Sequence, residues 1–106
     1  MKSDYELMAR AFQSLESLPE NIAFEILRKL DALTQFPEMG TSLEVRFPKL
    51  KDYRELLYKR SIRIIYQFDA YDNMIYVVAI QNCRQKLPSA RDLKRDSSAN
   101  KELPLK

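Results

Sequence analysis

The sequence holds no His and no Trp, and only one Cys and one Gly, in 106 residues. Without an imidazole, His-based acid–base catalysis and His-ligated metal sites are excluded. The lone thiol, Cys83, cannot form an intrachain disulfide, a Cys-rich zinc site or a Cys/His nucleophilic pair. One Gly and five Pro rule out collagen-like and low-complexity classes. No apolar run approaches the ~18–20 residues of a membrane span. Met1-Lys2-Ser3-Asp4-Tyr5-Glu6 lacks the apolar stretch of a signal peptide. A cytoplasmic location is expected, with no membrane partner, no metal and no other cofactor. Any chemistry falls to carboxylates, Lys, Arg, Tyr or the single thiol.

Acidic charge is scarce in one half of the chain. Residues 1–45 carry 4 Lys+Arg against 8 Asp+Glu, a balance of −4. Residues 46–106 carry 14 against 7, a balance of +7. A basic second half fits an anionic partner, such as nucleic acid or an acidic protein segment; the alternative is a solvated basic surface.

The apolar pattern predicts an α+β domain over residues 1–95, with a polar, flexible tail over 96–106. Residues 5–9 read as a short edge strand and 10–18 as a helix, with Ala11, Leu15 and Leu18 on one stripe. Pro19 ends that helix and opens the next. Over 19–35, Ile22, Ile26, Leu30 and Leu33 recur at helical spacing, and Glu25 and Lys29 stand at i,i+4 in the favourable order. Pro37, Gly40 and Pro48 make 37–50 a connector. Strands follow at 53–60, 62–68 and 74–81, the last two joined by an Asp69–Asn73 hairpin loop. Residues 74–81 are nearly all apolar, as in a strand covered on both faces. Ser89 is placed to cap a helical turn over 89–95. The expected architecture is two N-terminal helices packed on a small antiparallel β-meander. Ile62, Ile64, Tyr66 and Phe68 face the helices, and Arg63 and Gln67 show on the other side.

Several motifs occur in a recognisable order. They are Leu-Pro at 18–19, Phe-Pro-Glu-Met-Gly at 36–40, Phe-Pro-Lys-Leu-Lys-Asp-Tyr-Arg-Glu-Leu at 47–56, Arg63-Ile64-Ile65-Tyr66 and Arg84-Gln85-Lys86-Leu87-Pro88. Together they resemble the RelE/ParE superfamily of toxins from type II toxin–antitoxin systems, over roughly residues 5–93. The resemblance implies a toxin held inactive by a cognate antitoxin. RelE-like members act on the ribosome as mRNA endonucleases, whereas ParE-like members inhibit DNA gyrase without nuclease chemistry. A degenerate toxin that keeps only antitoxin binding is a third reading. The scaffold carries all of them, so the residues must decide.

RNA cleavage by the ribose 2′-oxygen needs a base, cations around the phosphorane and an acid for the leaving oxygen. Arg63, a charged residue in an apolar strand, and Arg84, just beyond the last strand, match the superfamily's arginines. Both are candidate catalytic groups that converge on one phosphate. Glu55 is the candidate carboxylate base. Arg54, Lys49, Lys51, Lys59 and Lys86 are candidate RNA-binding cations. The competing reading of Arg63 and Glu55 is a cross-strand salt bridge, with Asp69 as a second possible partner of Arg63. Lys86, Arg91, Lys94 and Arg95 read as backbone-contacting or solvated. Tyr66 and Tyr76 read as core residues, Tyr58 and Tyr71 as exposed candidates for base stacking, and Cys83 as an incidental thiol. Many nuclease members place a His before the C-terminal arginine. Asn82 holds that place here, and it cannot exchange a proton near neutral pH.

Overall fold

The computed structural model describes residues 3–93. The expectations for the tail over 96–106, for Lys94 and Arg95, and for the end of the domain at residue 95 lie outside them.

The chain runs β1 (Asp4–Leu7), α1 (Ala9–Glu16), α2 (Glu20–Leu33), β2 (Thr41–Ser42), β3 (Arg54–Tyr58), β4 (Ile62–Asp69) and β5 (Met74–Asn82). A single 3₁₀ turn, Pro48–Leu50, precedes β3. The strands make one sheet in the order β1-β5-β4-β3-β2. The antiparallel meander of β3, β4 and β5 is the one expected. β1 joins β5 in parallel, so the sheet is mixed. β2 pairs Thr41 with Glu55 and Ser42 with Arg54, inside the stretch read as connector. Two residues are too few to leave a period-2 signal.

The helices cover one face. Ile26, Leu30 and Leu33 of α2 and Ala11 and Leu15 of α1 pack on Ile62, Ile64, Tyr66, Ile75 and Val77. Each large side chain buried here contributes about 1.5–3 kcal/mol. Pro19 supplies the carbonyl that receives the Ile22 and Ala23 N–H groups, so it starts α2 without a side-chain cap.

The other face is not the open surface expected from Arg63 and Gln67. Ile65, Val78 and Ala79 form a second core with Leu43, Leu50 and Tyr53 of the connector and with Leu93. Leu87 and Ala90 pack at its edge. A register shift between Ile65 and Tyr66 makes this possible: Ile65 pairs with Ala79 and Tyr66 with Val77. Val78 is left over as a bulge, so Val78 and Ala79 both join the second core although they are consecutive. The turn at Ala90 is capped as expected, the Ser89 hydroxyl accepting from the Asp92 N–H at 3.1 Å.

The single glycine is required by a close approach, not by its backbone angles. Tyr66 Oη accepts from the Gly40 N–H at 2.9 Å and donates to the Pro37 carbonyl at 2.7 Å. A Cβ on Gly40 would lie 2.7 Å from that hydroxyl and 2.8 Å from the Glu55 carbonyl. This lock ties the segment after α2 to β4, the strand that carries Arg63. Among the described residues, no helix is long and apolar enough to cross a membrane.

Candidate functional site

Arg63 stands opposite Leu57 of β3 and Gln81 of β5. Alternation puts it with Glu55 on the face away from the helices, at the end that the second core leaves uncovered. Its guanidinium is well buried, its side chain 13% exposed. Nη2 donates to the Cys83 carbonyl at 3.0 Å. Nε lies 3.2 Å from Glu55 Oε2, yet that nitrogen has no aligned hydrogen-bond acceptor. The contact is one of charge more than of directed hydrogen bonding. Glu55 Oε1 accepts from Arg46 Nη2 at 2.6 Å. Glu55, itself 9% exposed, is thus held between a buried and a half-exposed arginine.

A groove of about 530 Å³ opens over this triad. Arg46, Lys49, Arg63 and Lys86 line it with Phe47, Leu50, Gln85 and the 87–90 segment. Among the described residues its lining has four cations and no carboxylate; Glu55 lies behind Arg46 and Arg63. Gln81, the register neighbour of Arg63, donates from its amide to the Lys86 carbonyl at 3.3 Å, and its buried Oε1 has no donor. Two unsatisfied buried polar atoms on facing strands, Arg63 Nε and Gln81 Oε1, are uncommon away from functional sites.

The fold brings Arg63, Glu55, Lys49 and Lys86 together. It does not bring in the other candidates. Arg84 is exposed on the turn after β5, outside the residues lining the groove. Arg63 instead reaches the carbonyl of the preceding residue, and the two-arginine grip forms on Glu55 through Arg46 and Arg63. Arg54 lies on the helix side of the sheet, donating to the Gly40 carbonyl at 2.6 Å and to that of Glu38 at 3.4 Å. Successive strand residues point to opposite faces, so Arg54 cannot share the face of Glu55. Lys59 also sits on the helix side, 3.6 Å from Glu25. Lys51 is exposed after the 3₁₀ turn and does not line the groove. Asn82 uses its side-chain oxygen to accept the Arg84 N–H at 2.8 Å, shaping the turn.

Tyr58 is buried, not exposed as expected, and its hydroxyl donates to Glu25. That hydrogen bond, with Lys59 nearby, holds the Glu25 carboxyl below its usual range, and it pushes the Tyr58 hydroxyl up. Tyr66 is buried as expected, and burial raises its pKa. Tyr71 stands at the β4–β5 hairpin tip, 97% exposed. Arg46 and Gln85 were missed. The signal for Arg46 was the change in charge balance that begins at that residue.

Residues 5–87 match the profile of a family described as the ParE toxin of the type II toxin–antitoxin system, parDE. A comparison with curated protein sequences finds no match. Among solved structures, the fold is similar to a RelBE toxin–antitoxin complex from Mycobacterium tuberculosis, with a TM-score of 0.69 and 15% identity over 77% of this chain and 99% of that one. It is similar to a double arginine-to-alanine mutant of the E. coli RelE toxin in the free state, with a TM-score of 0.65 and 15% identity over 93% and 97%. An archaeal RelE–RelB complex from Pyrococcus horikoshii gives a TM-score of 0.54 and 18% identity over 81% and 100%.

Proposed function

The chain belongs to the ParE toxin family of type II toxin–antitoxin systems, and from that premise we propose that it blocks translation by cutting mRNA on the ribosome and is neutralised by a cognate antitoxin. Residues 1–95 form the toxin domain in this reading, and the cytoplasm, where ribosomes work, is its location. One observation carries the proposal: Arg46, Lys49, Arg63 and Lys86 meet around one open groove with Glu55 behind them. Such a lining suits a phosphodiester, whose single negative charge matches the net charge of one carboxylate between two guanidiniums.

The chemistry needs no metal. The ribose 2′-oxygen attacks the adjacent phosphorus and the bond to the 5′-oxygen breaks, leaving a 2′,3′-cyclic phosphate and a 5′-hydroxyl. Arg63, already oriented by the Cys83 carbonyl, stabilises the charge on the phosphorane. Once Arg46 turns from Glu55 to the phosphate, Glu55 takes the 2′-proton, and Lys49 or Lys86 protonates the leaving oxygen.

A second reading has its own support. Both oxygens of Glu55 are engaged by arginines in this arrangement, and Asn82 is an amide that shapes the turn and exchanges no proton. A ParE-like toxin that binds DNA gyrase would need neither. The deciding experiment adds purified protein to a translating extract and, separately, to a gyrase supercoiling reaction. Cleaved ribosome-bound transcripts with normal supercoiling are expected. Intact transcripts with inhibited supercoiling would replace the nuclease reading by the gyrase one.

A further inference from the structure

A second cationic surface lies behind the groove, where α2 meets the β3–β4 turn. Arg28, Lys29 and Lys59 line an open hollow of about 450 Å³ with Tyr58 and Glu25. Glu25 is the one carboxylate among the described residues of that lining, and it is engaged by the Tyr58 hydroxyl and by Lys59 Nζ. Arg60 follows on the turn and is exposed.

The backbone of the turn is costly for the residues it carries. Lys59 and Arg60 have φ of 49° and 61°, both left-handed, and the Ser61 N–H closes on the Tyr58 carbonyl at 3.0 Å. A turn of this shape, with two successive left-handed residues closed by a hydrogen bond from the third, favours Asn-Gly. Two long cationic side chains meet steric opposition there that glycine avoids. The fold asks little of them: the Lys59 side chain is 70% exposed, with a 3.6 Å contact to Glu25 and a loose one to the Tyr58 ring, and Arg60 is exposed. A conformational outlier of this kind points to what the side chains do outside the fold.

The turn is also continuous with the groove. The Ser61 carbonyl accepts the Cys83 N–H at 2.9 Å, and the Cys83 carbonyl accepts Arg63 Nη2 at 3.0 Å. The 58–61 and 82–85 turns therefore sit side by side at one end of the sheet. Cations pass from Arg63 and Lys86, by way of Arg84, to Arg60, Lys59 and the α2 pair.

We infer that this sheet end and the hollow behind it are a second contact surface for an RNA phosphate backbone, adjoining the groove. The inference rests on the reading of RNA as the target. An antitoxin segment that folds on binding needs an apolar seat, and among the described residues no aliphatic side chain lines the hollow. A phosphate backbone needs only cations at the surface.

The test is the double substitution Lys59→Asn/Arg60→Gly in the full chain, which removes two cations and gives the turn its favoured residues. Binding is measured across a salt series with a short RNA hairpin and with purified ribosomes. The variant is expected to melt at or above the wild-type temperature. It should bind more weakly, with a log–log salt slope shallower by about 1.5–2. The wild-type advantage then shrinks about tenfold between about 50 and 200 mM salt. Arg28→Gln/Lys29→Gln, which keeps helix propensity, should do the same without touching the turn. Unchanged affinity and slope in both variants would overturn the inference, as would a loss confined to an acidic antitoxin peptide. Wild-type protein that binds neither RNA removes the RNA reading and this inference together. Wild-type binding that the variants share removes this inference alone.

Discussion

Substituting Glu55→Gln separates the two meanings of the buried triad. The change keeps shape and an acceptor oxygen but removes the charge that Arg46 and Arg63 share. Arg63 and Glu55 are 13% and 9% exposed, so this half of the triad is a buried pair. Removing one partner of such a pair costs roughly 3–5 kcal/mol. The Arg46 half is 54% exposed on the arginine side and contributes only about 0.2–1 kcal/mol. Because glutamine retains an oxygen for Arg46, a net loss of about 2–3 kcal/mol is expected, below the full buried-pair figure. For a domain of this size that lowers the melting temperature by roughly 8–20 °C.

The activity effect is larger and of a different origin. A domain stable by about 5–15 kcal/mol remains overwhelmingly folded after such a loss. Unfolding therefore cannot account for a large fall in rate at a temperature well below the melt. Loss of the general base should lower transcript cleavage about 10²–10⁴-fold. The assay is cleavage of ribosome-bound mRNA by the folded variant, beside a urea titration. Cleavage within a few-fold of wild type would remove Glu55 from the chemistry. Unchanged stability would refute the buried-pair argument itself.

Three other perturbations test the frame that holds the triad. Tyr66→Phe strands the Gly40 N–H and the Pro37 carbonyl and should cost about 1–3 kcal/mol in chemical denaturation; a change below about 0.5 kcal/mol would count against the lock. Gly40→Ala should destabilise further and lower activity, because its Cβ meets the Glu55 carbonyl at 2.8 Å as well as the Tyr66 hydroxyl at 2.7 Å. Adding Tyr66→Phe to Gly40→Ala should relieve only the hydroxyl clash, so the pair is not rescued. Tyr58→Phe removes the main cause of the low Glu25 pKa, and NMR titration should show the carboxyl moving up towards its ordinary range. Glu25 is depressed in the folded state, so its stabilising contribution is present above the unfolded value and is lost as pH falls through the folded one. The stability gap between wild type and Tyr58→Phe should therefore close in acid; a gap constant from neutral to acidic pH would contradict the assignment.

The helices, the meander and the helix-side core were legible because each repeats its signal. Ile26, Leu30 and Leu33 mark one helical stripe, and Ile62, Ile64 and Tyr66 alternate over several residues. β2 was not legible, since Thr41–Ser42 has no period and its pairing depends on β3. The second core was half legible. The apolar run of β5 required cover on both faces, but a connector punctuated by Pro and Gly gave no sign that Leu43, Leu50 and Tyr53 would provide it. At the site, Arg63 stood out as a charge within an apolar strand. The positions of Arg54 and Lys59 turned on strand parity, which local sequence leaves open until the register is known. Arg46 came from a loop, whose long-range contact with Glu55 has no local signature.

Under the proposed nuclease reading, Arg46, Glu55 and Arg63 also explain why a carboxylate can stand beside the groove that takes the phosphate. Four bare cations around one cavity would repel one another and be costly to desolvate. Glu55 offsets that repulsion from behind, and it leaves the triad with a net charge of +1. A phosphodiester carries −1, so its entry neutralises the triad without expelling the carboxylate, and Lys49 and Lys86 remain as further cations at the rim. Arg63 need not move to meet it, because the Cys83 carbonyl and the sheet already hold its guanidinium. Arg46, half exposed and on a loop, is the arm that can turn from Glu55 to the incoming phosphate. On this argument the buried arginine supplies preorganised charge and the loop arginine supplies exchange, so the internal ion pair and the open groove are parts of one arrangement.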